Sequence, residues 1–430
     1  MNSIYVGLIA GTVACAFFQV ASAGQAANAT ETVIHSFGGG TDGADPEAGL
    51  INVNGTLYGT TYGGGGTGCD QNFGCGTVFA LDPKTGAEYV VYSFCRQQNC
   101  ADGQYPFAGL IYAKGTLYGT TDFGGTYDLG TVFQLDPQTG AETVLHSFGS
   151  GTDGFTPFGS LIDVEGTLYG TTEGGGTGCV NPGCGTVYSL DPKTGAEAVI
   201  YSFCSQQHCT DGTAPESSLI DVHGTLYGTT FNGGSSGCGG AGCGSVFALD
   251  PKTGAETVTY AFCNHQNCKD GRWPSANLIE ANGTLYGTTT RGMGRAMHGG
   301  TVFALDPNTG AETVLYSFCR QQSCTDGAFP YAGLIDTNGT LYGTTVYGGD
   351  RGCRDEGCSR RVCYGLGCGT VFALDSNTGA ETVLYSFCRQ QNCTDGELPE
   401  TGLIEVNGTL YGTTLFGGTS GEGTVFSVVR

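Results

Sequence analysis

One heptapeptide, GTLYGTT, occurs seven times in this chain, beginning at Gly55, Gly115, Gly166, Gly224, Gly283, Gly339 and Gly408. The shortest step between copies, from 115 to 166, is 51 residues, and the longest, from 339 to 408, is 69. Periods of this size belong to propellers and solenoids, in which one small unit is repeated and buried against its neighbours. A motif present seven times is architecture rather than one active site. Function is therefore sought where the copies differ.

Residues 333–387 show the repeat: GLIDTNGTLYGTT, a variable loop, GTVFALDSNTGAETVLYSF. Four short strands follow from it: a (GLIDT), b (TLYGTT), c (GTVFAL) and d (ETVLYSF). Their Thr, Val, Tyr and Phe content suits strands, and no helical periodicity is present in the repeats. Asn54, Asn282, Asn338 and Asn407 precede Gly at the a–b turn, the pairing that a type I′ hairpin turn demands. The repeats lie near 49–94, 108–148, 160–203, 218–262, 278–318, 333–387 and 402–430. The last ends on strand c, whereas a lone d-type strand, ETVIHSF, stands at 31–37. Pairing the two closes a ring and removes the exposed sheet edges. The expected fold is an all-β, seven-bladed propeller over 31–430 with four antiparallel strands per blade. Its 78 glycines sit at fixed places in the repeat, so they mark turns rather than low complexity.

The apolar run IYVGLIAGTVACAFFQVA leads into Ala21-Ser22-Ala23, a small-x-small cleavage pattern. Residues 1–23 are read as a signal peptide and 24–30 as a short linker, giving a secreted or periplasmic protein with no membrane span after signal removal. Without Cys15, twenty cysteines remain, all in close pairs. They are Cys69/Cys75, Cys95/Cys100, Cys179/Cys184, Cys204/Cys209, Cys238/Cys243, Cys263/Cys268, Cys319/Cys324, Cys353/Cys358, Cys363/Cys368 and Cys388/Cys393. In an exported chain these read as ten local disulfides. The rival is zinc held by two pairs at once, but export favours oxidation. A net charge of −23 argues against nucleic acid or anionic lipid as a partner.

The pattern GLIxxNGTLYGTTxxGG…GTVFxLDPxTGAETVLYSF…DGxxP resembles the Gloeobacter/Verrucomicrobia-type (GloVer) tandem repeat of exported bacterial proteins. The resemblance covers nearly all of 31–430 and implies a surface or secreted propeller, with no particular activity. Relatives often carry a C-terminal sorting anchor; this chain stops after a c strand, so release is expected. VFALDPKTGAE at 78–88 is also similar to quinoprotein dehydrogenase repeats, whose tryptophans are missing here.

Antiparallel blades put the short a–b and c–d turns on one face, and the b–c and d–a loops on the other. Every cysteine pair and all the length variation lie in the second set, where binding is expected. Five d–a loops carry Gln at the third position inside the Cys pair (Gln98, Gln207, Gln266, Gln322, Gln391), and three begin with Arg (Arg96, Arg320, Arg389). These groups suit directional hydrogen bonds to sugar hydroxyls, peptide or carboxylate, or to the loop's own carbonyls. D-G-x-x-P follows each loop, at Asp42, Asp102, Asp153, Asp211, Asp270, Asp326 and Asp395. An Asx-turn is the expected role of these aspartates, with calcium the one cation they could attract. No cofactor and no metal ligand set is predicted. Trp273, the single tryptophan, precedes one of these prolines, as Tyr105 and Phe329 precede others. The blade-six loop, 348–369, carries Arg351, Arg354, Arg360 and Arg361, and blade five adds Arg291, Arg295 and His298. Together they predict a basic patch suited to carboxylate or sulfated sugars.

The six histidines show no sequence spacing for metal, and neither a G-x-S-x-G elbow nor H-E-x-x-H is present. The reading is a monomeric, non-enzymatic protein whose disulfide-bearing face binds a carbohydrate or a cell-surface protein. Its alternatives are a secreted polysaccharide hydrolase or lyase, and a purely structural scaffold.

Overall fold

The computed structural model describes residues 29–66, 69, 73–149, 152–179, 183–235, 237–292, 299–350 and 367–430. The signal peptide, Arg351, Arg354, Arg360, Arg361, Arg295, His298, Cys353, Cys358 and Cys363 lie outside these residues. The chain forms seven four-stranded antiparallel sheets. After β1 (Thr30–Ser36), blade one holds β2 (Ile51–Val53), β3 (Thr56–Thr61), β4 (Thr77–Leu81) and β5 (Glu88–Ser93). Five like sheets follow: β6–β9 over 111–147, β10–β13 over 162–202, β14–β17 over 220–261, β18–β21 over 279–317 and β22–β25 over 335–386. In the last blade β26 (Ile404–Val406), β27 (Thr409–Thr414) and β28 (Thr424–Val429) are joined by β1, in the order β1-β28-β27-β26. The ring closes as the chain ends predict, with Thr30 opposite Val429 and Ser36 opposite Thr424.

The heptapeptide has a physical explanation at its second glycine. On strand c of each blade a large ring lies directly over strand b, and a Cβ on Gly59 would sit 2.6 Å from Phe79 Cζ and 2.9 Å from Leu50 Cδ2. The same clash recurs at Gly119, Gly228, Gly287, Gly343 and Gly412, and against Tyr188 at Gly170. Each ring then meets, edge to face, the buried Phe that ends strand d of the preceding blade. Centroid distances are 5.1 Å for Phe37–Phe79, 5.1 Å for Phe94–Phe133 and 5.0 Å for Phe387–Phe426. Such pairs add about 0.5–1.5 kcal/mol beyond area burial. Seven of them run round the ring, so the core consists of the seams between blades. At the a–b turn Asn54 and Gly55 both have positive φ, 54° and 93°, the type I′ geometry.

Strand a of one blade touches strand a of the next, as β2 does β6 and β26. The a strands therefore surround the central channel and the d strands form the outer rim. Each d–a segment crosses one face from rim to channel.

Candidate functional site

The rim end of each crossing is the cysteine loop. Bridges join Cys95–Cys100, Cys204–Cys209, Cys263–Cys268, Cys319–Cys324 and Cys388–Cys393. In the b–c loops they join Cys69–Cys75, Cys179–Cys184 and Cys238–Cys243, and Cys368 is also disulfide-bonded. Where a blade carries both kinds of bridge they adjoin: the four sulfurs of Cys69, Cys75, Cys95 and Cys100 lie within 4.8 Å of one another.

In the five crossings that carry it, the aspartate of D-G-x-x-P organises this loop. Asp102, fully buried, accepts hydrogen bonds from the Tyr92 hydroxyl (2.8 Å) and the Arg96 and Gln97 N–H groups (2.8 and 3.0 Å). Asp270, Asp326 and Asp395 do the same. Their donors thus lie five and six residues upstream rather than in a forward Asx-turn, because the loop folds back over the carboxylate. Arg96, Arg320 and Arg389 are exposed, and their guanidinium groups cover the rings of Tyr92, Tyr316 and Tyr385 at 4.8, 5.0 and 5.1 Å. Gln98, Gln207, Gln266, Gln322 and Gln391 are exposed at the loop crests.

The channel end of each crossing is the part that sequence reasoning missed. The residue immediately after each D-G-x-x-P proline lines one cavity: Glu47, Phe107, Phe158, Glu216, Ser275, Tyr331 and Glu400. Gly49, Ser160, Asn277 and Gly402 also line the cavity, which holds about 100 Å³ and opens to solvent. The signal was present in the sequence. Within a nearly invariant repeat this position alternates among acid, aromatic and hydroxyl.

Its electrostatics are uneven. Asp122 and Glu173 follow strand b in blades two and three, at the same mouth. Burial, then the charges of Glu47 and Glu173, hold the Asp122 carboxyl well above its usual range. Asp122 is 4% exposed, and its Oδ1 has no hydrogen-bond partner among the described residues. Burial and Glu173 push Glu216 up to about 8. Burial raises the Tyr331 phenol, with Glu216, Glu400, Glu47 and Glu173 adding to it. Aromatic rings border this acidic patch: Phe107 meets Phe158 at 4.0 Å, and Tyr62 stacks on Tyr105 at 4.9 Å. Another stretch of the mouth is basic and aromatic. Trp273 is half-buried, stacks on Phe231 at 5.8 Å, and is flanked by Arg272 and Arg291 at 4.5 and 5.0 Å. Arg291, expected in a loop-tip patch, is thereby joined to Trp273.

No curated protein matches this chain. Among solved structures, the extracellular domain of BT4673 from B. thetaiotaomicron, described as a one-component system, has a TM-score of 0.55 at 11% identity. The match covers 91% of this chain and 39% of that one, so the chain spans well under half of its length. An oligogalacturonate lyase from Vibrio parahaemolyticus has a TM-score of 0.48 at 9% identity, with 93% of each chain covered. These likenesses concern the fold. The Gloeobacter/Verrucomicrobia repeat matches residues 11–241 and 180–355. With seven closed blades built from that repeat, the chain belongs to the Gloeobacter/Verrucomicrobia repeat family.

Proposed function

We propose that this is an exported protein that binds an extracellular carbohydrate at the channel mouth, on the disulfide-bearing face. The observation that carries the reading is the convergence of a variable position of the repeat, occupied by Glu, Phe, Ser or Tyr, on one cavity, with aromatic rings beside carboxyl groups. Ring faces such as Phe107, Phe158 and Trp273 suit the C–H faces of sugars. Carboxylates accept hydroxyl hydrogen bonds, and the Arg272–Arg291 pair suits a carboxylate or sulfate substituent. The local disulfides favour an oxidising compartment.

The test is a glycan array probed with the oxidised protein, with calcium and again with EDTA. The F107A/F158A and W273A variants should lose binding at least about tenfold, with melting temperature little changed. Binding that survives both variants, or silence on every glycan, would refute the site. Changing Arg351, Arg354, Arg360 and Arg361 to Ala tests the blade-six loop separately. A second reading is cleavage of the bound glycan, favoured by Glu216, which is poised to carry a proton beside Glu173 as acid–base pairs require. Products released from the array would select it.

A further inference from the structure

Two of the seven seams between blades are built differently on the outer rim. Five d strands carry Tyr before Ser-Phe or Ala-Phe, and a Cys pair follows. The two that lack the pair, HSFGGGTDG and HSFGSGTDG, carry histidine instead, at His35 and His146. In a tyrosine seam, the Tyr92 hydroxyl donates to Asp102 and lies 3.4 Å from Glu142, the residue that opens strand d of the next blade. The exchange of Tyr for His therefore puts an imidazole nitrogen where two carboxyl groups already meet.

At the first such seam the ligand atoms of His35, Asp42 and Glu88 all lie within 4.8 Å of one another. His35 Nε2 is 3.4 Å from Asp42 Oδ1, and Glu88 Oε1 is buried without a hydrogen-bond partner among the described residues. At the second, His146 Nε2 is 3.2 Å from Asp153 Oδ1. Glu197 opens strand d of the next blade, as Glu88 does at the first seam, and its Oε1 is again buried without a hydrogen-bond partner among the described residues. In both seams the second oxygen of the aspartate is fixed by a backbone N–H, from Gly38 or Gly149. That is how ligating carboxylates are oriented. Both pairs remain open to solvent, with side chains 18–28% exposed in the first and 19–24% in the second.

We propose that His35, Asp42 and Glu88, and likewise His146, Asp153 and Glu197, form two sites for a divalent transition metal. One imidazole and two carboxylates provide three ligands and leave a position for water, a set suited to zinc or manganese. Each ion joins consecutive blades. The first ties β1, the strand that closes the ring, to blade one.

The chelator-treated, oxidised protein is titrated with Zn2+ and with Mn2+ by calorimetry, and melting is followed in parallel. Two ions per chain and a rise in melting temperature are expected, because a ligand that binds only the folded state stabilises it. H35Y and H146Y each install the side chain that five seams already accommodate, and each should remove one ion. H35Y/H146Y should remove both and leave metal-free melting little changed. E88Q/E197Q is a second route to the same loss. Absence of saturable binding in the unaltered protein, or unchanged stoichiometry in both double variants, would overturn the assignment.

Discussion

Acidity should stabilise this protein, and the seams between blades say why. Strand d of every blade opens on a glutamate: Glu31, Glu88, Glu142, Glu197, Glu256, Glu312 and Glu381. One oxygen of each is buried without a hydrogen-bond partner among the described residues. Burial first, then the neighbouring aspartate, moves these carboxyls from a usual value of 4.5 to about 7, and to about 8 at Glu381. The folded state then holds protons that the unfolded chain has released. Each contribution is complete below the unfolded value near 4.5 and is lost as pH rises through about 7. Fully shielded from water, a shift of this size would correspond to roughly 3 kcal/mol per residue. These groups are only partly buried, so screening leaves about 1 kcal/mol each. Seven together give roughly 5–7 kcal/mol between acid and alkaline conditions.

Six turn aspartates act in the opposite sense: Asp82, Asp136, Asp191, Asp250, Asp306 and Asp375. Backbone N–H groups hold their carboxyls below the usual range. Their contribution is present above the unfolded value and disappears as pH falls below about 4. Maximum stability should therefore fall near pH 5. Urea unfolding in EDTA at pH 5 and pH 8 measures it through the midpoint, with the slope unchanged. E256Q, a neutral isostere, should reduce the difference by about 1 kcal/mol. A midpoint that is equal or higher at pH 8 would refute the reasoning.

Three further outcomes are expected. Gly287→Ala would press a methyl to 2.6 Å from Phe303 Cζ and should cost about 1–3 kcal/mol, read from denaturant midpoints; an unchanged midpoint would contradict the ring-over-glycine packing. Deleting residues 30–37 strips β28 of its outer partner and Phe79 of Phe37, so chromatography should show aggregates, whereas a soluble species that unfolds cooperatively would show that ring closure is dispensable. Asp270→Ala leaves the Tyr260 hydroxyl and two loop N–H groups without their acceptor. It should cost about 2–3 kcal/mol and open the Cys263–Cys268 loop to proteolysis.

The blades were legible because their determinants are local. Asn54-Gly55 dictates its own turn, and TLYGTT and GTVFAL pair across one loop. Closure was legible because ETVIHSF had no other strand to pair with. The site was less so. Glu47 and Glu400 are far apart in sequence and meet only because the ring returns the last blade to the first. The histidine seams were hidden similarly: His35 and Asp42 are close in sequence, but Glu88 comes from the next blade. Spacing rules for metal ligands are written for single elements and do not see across such a seam.

The buried aspartate at the rim end of five crossings has a consequence at the channel end. Asp102 and its counterparts hold the path of the chain through backbone N–H groups and a strand-d hydroxyl, so little of that path depends on the residue beyond the proline. Those seven residues behave like the dials of a combination lock, each turned without disturbing its housing. Under the proposed function, a change at Glu47, Ser275 or Tyr331 would reset what the cavity accepts while the blades keep their register. A new specificity is then a matter of seven single-codon choices around one opening, and the same ring could serve many ligands.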